Sequence, residues 1–140
     1  MADEGTPDVE QLASDYEALL NGDYSKLDIL AKSFSVHAPG LPEEGIPGGE
    51  PYRDFLQTFH DGFSDLEYAI SDMLASEEVV MAEWTVTGTH DGEFNGIPPT
   101  DREIEMQTMG KLEIADGKIQ EERGYYDPQN LMTQLGVTDE

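Results

Sequence analysis

At 140 residues with 37% hydrophobic content, the chain suits one domain of ordinary size around a single core, and no second domain is expected. Its 31 acidic residues against 7 Lys and Arg give a formal charge of -24, which opposes binding to nucleic-acid phosphates and to anionic membranes. The absence of cysteine excludes disulfides, thiol nucleophiles and thiolate metal sites.

No apolar run approaches the roughly 20 residues of a membrane span, and the start Met-Ala-Asp-Glu-Gly lacks the basic and apolar character of a signal peptide, so a cytoplasmic protein is expected. The acids are spread along the whole chain instead of forming a tail. They read as a solvated surface adapted to high salt, in preference to a face matched to a basic partner.

Residues 1–6 read as a flexible lead. From Pro7 to Asn21, Val9, Leu12, Ala13, Tyr16, Leu19 and Leu20 recur at helical spacing, and Asn21-Gly22 supplies a stop. Tyr24 to Ala31 predicts a short second helix and Ser33 to Ala38 a strand. Pro39 to Pro51 carries too many prolines and glycines for regular structure and reads as a loop over an opening. Tyr52 to Phe63 sets Phe55, Leu56, Phe59 and Phe63 on one helical stripe. Leu66 to Ala75, Val79 to Thr89, Arg102 to Ala115 and Lys118 to Tyr126 predict a meander of antiparallel strands, with Asp116-Gly117 as a two-residue hairpin turn. Pro128 to Leu135 is a terminal helix, capped by Asp127 and stopped by Gly136.

Helices followed by long strands indicate an α+β fold in which a curved antiparallel sheet wraps around N-terminal helices. Such a cone leaves a largely apolar pocket at its open end, the usual place for a small-molecule site.

Four stretches carry a family likeness: Ser-Val-His-Ala-Pro at 35–39, Trp-Thr-Val-Thr-Gly-Thr-His-Asp-Gly-Glu-Phe-Asn-Gly-Ile-Pro-Pro-Thr at 84–100, Ile-Ala-Asp-Gly-Lys-Ile-Gln-Glu-Glu at 114–122, and Tyr-Tyr-Asp-Pro-Gln-Asn-Leu-Met-Thr-Gln-Leu-Gly at 125–136. In this combination and order the chain resembles the SnoaL-like polyketide cyclases, which share the nuclear transport factor 2-like cone fold. The resemblance covers nearly the whole chain. It implies an intramolecular aldol ring closure run by an aspartate on the last strand and a histidine on the strand before. Here those positions fall on Gly124 and Gly110, and glycine carries no proton. The two glycines are expected either to widen the cavity or to ease sheet curvature. Gly124→Asp is expected to fold and to restore a buried carboxylate.

Other polar groups remain. Strand alternation places Gln120, Glu122, Gly124 and Tyr126 on one face, which the resemblance turns towards the pocket. Glu122 is the candidate catalytic carboxylate, its proton affinity raised by an apolar setting, and the competing reading is a solvent glutamate. His37 matches a histidine common in the family and is the second catalytic candidate, against a structural histidine at a strand end. Trp84, Met106 and His60 complete the expected pocket, although a lone tryptophan on a central strand is more often core. His90 is expected to brace the hairpin.

The histidines lie too far apart in sequence to suggest a metal site, and no cofactor motif is present. Two classes stay open: a cofactor-independent cyclase or isomerase acting on a small apolar carbonyl compound, and a module that binds such a compound without turning it over. A homodimer is expected through the outward residues Met109, Ile119 and Tyr125.

Overall fold

The computed structural model describes residues 9–137, so the flexible lead expected at residues 1–6 and the Pro7 start of the first helix lie outside the described residues. Helix α1 (Val9–Leu20) buries Leu12, Ala13, Tyr16, Leu19 and Leu20, the stripe that a 3.6-residue period puts on one face. Each of the three leucines contributes about 1.5–3 kcal/mol when removed from water. The expected second helix is a single 3₁₀ segment, Tyr24–Ile29, whose entry is capped by the Asp23 carboxylate accepting from Ser25 N. Strand β1 (Leu30–His37) starts earlier than the sequence suggested, and the breaker-rich loop contains a two-residue strand, β2 (Ile46–Pro47).

Helix α2 (Glu50–Gly62) has Pro51 in its first turn, where the missing N–H removes no helical hydrogen bond. It turns Tyr52, Phe55, Leu56 and Phe59 inward. Strands β3 (Glu67–Ala75), β4 (Val79–Thr89), β5 (Glu103–Ala115) and β6 (Lys118–Tyr125) form the expected meander. Asp116 and Gly117 both take positive φ, 54° and 75°, as a tight primed turn between β5 and β6 requires. Helix α3 (Pro128–Gln134) begins where the Asp127 carboxylate accepts from Gln129 N and Asn130 N, each at 3.1 Å.

Among the described residues the sheet has six strands, in the order β2-β1-β6-β5-β4-β3. The first strand is therefore not an appendage of the meander. It lies parallel to β6, with Val36 beside Glu122 and His37 beside Arg123. The helices α1 and α2 fill the concave side, where Tyr16, Leu19, Phe34, Tyr52, Val80 and Ile119 are almost wholly buried. This is the nuclear transport factor 2-like α+β cone.

One irregularity decides which side chains face inward. Glu113 pairs with Glu121 but Ile114 pairs with Ile119, so Gln120 is an extra residue in β6, a β-bulge. Alternation carried through this point predicts Gln120 on the pocket face and Ile119 outside. The structure corrects both: Ile119 is fully buried, and Gln120 bonds sideways to the Ala115 carbonyl and to Ser33 Oγ. Beyond the bulge the phase is that of Glu122 and Gly124 inward.

Candidate active site

Tyr16 comes from the middle of α1 and Tyr52 from the first turn of α2, and both reach the carboxylate of Glu122 on β6. Tyr16 Oη donates to Glu122 Oε1, the two phenol oxygens touch one another, and Tyr52 Oη lies 3.4 Å from the same carboxylate oxygen. The rings stack at 6.5 Å with their planes 17° apart, so packing holds the two hydroxyls side by side. Glu122 is half-buried, with Oε1 held by the phenols and the side chain in the lining of a pocket.

Burial raises the pKa of Glu122, and the phenol hydrogen bonds, which favour the charged form, offset part of that rise. Burial also raises Tyr16 and Tyr52 well above an ordinary phenol, and the neighbouring carboxylate adds to the effect. The phenols therefore stay protonated as donors. Of the three groups, Glu122 is the one able to gain and lose a proton, at a pH above the ordinary glutamate range.

The second carboxylate oxygen, Oε2, accepts no hydrogen bond among the described residues. It lies over the cross-strand pair Gly110 and Gly124: a Cβ on Gly110 would stand 3.0 Å from it and one on Gly124 3.3 Å. Neither glycine has a positive φ, so backbone conformation does not demand glycine at either place. The space left by two missing side chains is filled by the carboxyl group of a third residue.

In front of this group lies a cavity of about 150 Å³. It is lined by Phe55, Leu56 and Phe59 of α2, by Trp84, Val86 and Met106 of the sheet, by Tyr126, and by Leu131 of α3. Apart from Glu122 and the indole N–H of Trp84, the lining is apolar or phenolic, with one threonine, and among the described residues no Lys, Arg or His contributes to it. Such a wall accepts an uncharged ligand and rejects an anion, because a buried charge without a partner is costly.

Of the residues singled out from the sequence, Glu122, Trp84, Met106, Gly124 and Tyr126 line the cavity, and Gly110 forms the floor beneath Glu122. His37 does not join them. Val36 and Ala38 face the pocket, which turns the intervening His37 to the convex side, where its Nε2 is 2.9 Å from Ser35 Oγ. His60 is likewise outside the cavity. Its Nε2–H donates to the Leu20 carbonyl at 2.8 Å and ties α2 to the end of α1. His90 is fully buried, and its Nδ1 accepts from Thr100 N at 3.2 Å across the loop between β4 and β5. Among the described residues no group of three or more metal-ligating side chains comes together, and no helix is long and apolar enough to cross a membrane.

Sequence reasoning missed the two tyrosines. Tyr16 fits its helical stripe as core, and only the choice of a phenol where leucine or phenylalanine would pack as well hints at a polar task.

Comparison with known proteins returns a family model described as SnoaL-like polyketide cyclase, matching residues 10–135. The nogalonic acid methyl ester cyclase of Streptomyces nogalater is 39% identical over 57 residues, a stretch covering 41% of this chain and 42% of that enzyme, so the chain matches less than half the length of this curated relative. Among solved structures, IdmH of Streptomyces antibioticus, a candidate polyketide cyclase, superposes with a TM-score of 0.76 at 27% identity over 91% of this chain and 98% of the other. TsrD of Streptomyces laurentii superposes with a TM-score of 0.79 at 24% identity over 92% and 95% of the two chains, a likeness of fold.

Proposed function

The chain belongs to the SnoaL-like polyketide cyclase family, and from that premise we propose that it takes an uncharged, polyketide-like carbonyl compound into the cone and moves a proton on it through Glu122. The observation that carries this reading is the placement of the Glu122 carboxylate over Gly110 and Gly124. Those are the positions to which the family resemblance assigns a histidine and an aspartate. The acid–base group is supplied from two residues earlier on the same strand.

The chemistry follows from one free carboxylate oxygen. Oε2 takes a proton from the carbon next to a substrate carbonyl, and the C–H electron pair shifts to leave an enolate oxygen. The enolate carbon then bonds to a second carbonyl carbon of the same molecule. The alkoxide formed there takes the proton back from Glu122, so the ring closes with no net consumption of acid or base. Tyr16 and Tyr52 hold Oε1 and fix the rotamer throughout. No cofactor enters this scheme.

The second reading is a binding module, favoured by the glycines at the two catalytic positions of the family. Deuterium exchange at the acidic carbon of 2-tetralone in heavy water, followed by NMR, separates the two. Wild type should accelerate exchange over buffer, and Glu122→Gln should lose that acceleration by about 10²–10⁴-fold, the usual contribution of a general base. The wild-type rate should also rise with pH through an inflection above the ordinary glutamate range. Equal rates for both proteins defeat the role of Glu122, and binding with no exchange by wild type leaves the binding module.

A further inference from the structure

Trp84 brings to the cavity a donor with no acceptor. It sits in the middle of β4, only 4% exposed, with its ring edge-on to Tyr16 at 6.3 Å. An indole N–H ordinarily finds a hydrogen-bond partner, yet among the described residues Trp84 Nε1 donates to none and is left to the cavity that the ring lines. This nitrogen lies 3.5 Å from the point where a side chain on Gly110 would begin, and Glu122 Oε2 lies 3.0 Å from the same point. A lone donor and a lone carboxylate oxygen thus border one spot above a glycine floor.

A ligand that satisfies both must offer an acceptor to the first and a proton to the second. An ammonium has no lone pair to offer the indole N–H and gains nothing from it, whereas a hydroxyl both accepts and donates and competes with a carbonyl for this spot. A carboxylate would accept, but it would meet Glu122 with no cation in the lining to balance the pair. An uncharged carbonyl with a C–H on the neighbouring carbon meets both demands. We propose that the Trp84 indole N–H is the carbonyl-binding group of this site, selecting ketones and esters over hydrocarbons of the same shape and holding the carbonyl so that its neighbouring C–H faces Glu122. As the enolate forms, charge develops on the oxygen that this N–H contacts, and the hydrogen bond strengthens. The proposal rests on the reading of Glu122 as the proton carrier.

Trp84 is the single tryptophan of the chain, so the ¹⁵N-labelled protein shows one indole N–H cross-peak. The full chain in molar potassium chloride is titrated with 2-tetralone and, separately, with tetralin, which has the same two-ring shape and no carbonyl. The ketone should move the indole proton downfield, and tetralin should not. Trp84→Phe should weaken 2-tetralone about three- to tenfold and leave tetralin unchanged, the loss expected for one neutral hydrogen bond. The wild-type titration stands even if that variant does not fold. Equal movement of the peak by both probes overturns the proposal, as does ketone binding with the peak unmoved, or no binding of the ketone at millimolar concentration. Repeating the titration on Glu122→Gln separates the two readings. A shift that survives there beside unchanged exchange removes Glu122 as the base and keeps Trp84, whereas lost exchange with equal probe shifts does the reverse.

Discussion

Glu122 holds its place at a cost that depends on pH. The carboxyl loses water on folding, and its pKa rises in spite of the two phenols. Its folded pKa therefore exceeds its unfolded one, and between the two values the native state binds more protons than the unfolded chain. Under that condition stability falls as pH rises through the window, and below the ordinary glutamate value of about 4.3 the group is neutral in both states and contributes no slope. Glu122→Gln removes this titration while its amide oxygen still accepts from Tyr16. We predict that the variant melts higher than wild type above about pH 5, and that the gap shrinks as pH approaches 4. Comparing two proteins cancels the slopes of the other carboxylates. A gap that widens on acidification would mean that the phenols outweigh desolvation and that the folded pKa is lowered.

At the scale of elements, the paired strands β5 and β6 shape the site by what they omit. Gly110 and Gly124 face each other across the ladder, and the carboxyl group between them leaves little room. A methyl on Gly110 would press on Oε2 at 3.0 Å, while the Trp84 indole nitrogen at 3.5 Å would be at ordinary contact distance. We predict that Gly110→Ala folds, melts a few degrees lower, and loses at least about tenfold in 2-tetralone exchange because Oε2 is driven from its position. Unchanged exchange would show that Oε2 is not the working oxygen. The Gly124→Asp change, expected to fold and to restore a buried carboxylate, sets a second carboxyl against the first, and the two would titrate as a coupled pair. Much of this was legible in the sequence: the stripes of α1 and α2, the long strands, the Asp116-Gly117 turn and the inward phase of Glu122. What was not legible depends on contacts distant in sequence. The β1–β6 pairing, the inserted Gln120, and the approach of Tyr16 to a residue 106 positions away leave no periodic trace. His37 misled because a strand-end histidine within a family motif carries no mark of which face it occupies.

At the scale of the whole molecule, the convex face of the sheet and the charge pull in opposite directions. Met109 and Tyr125, which also border the cavity, are cross-strand neighbours and 52% and 61% exposed, and Leu74 pairs with Met81 at 79% and 49%. Ile119, expected to join this face, is buried instead, so its exposed apolar side chains are the other four, with Lys111 opposite Met81 and Glu83 opposite Met109 among them. We propose that two copies pair through it, since a solvated monomer rarely shows such a group together. Each copy carries a formal -24, and in dilute buffer that charge opposes both the compact fold and the approach of a second chain. Molar salt shortens the Debye length to about 3 Å and removes most of the opposition. Dimer mass and melting temperature should therefore rise together between dilute buffer and molar potassium chloride. Tyr125→Glu should uncouple them: light scattering in molar salt should give a monomer, while the melting temperature still climbs with salt because intramolecular screening is unchanged. A wild-type monomer in molar salt would remove the pairing, and an equal melting temperature at both salt concentrations would remove the reading of the acidic surface as salt adaptation.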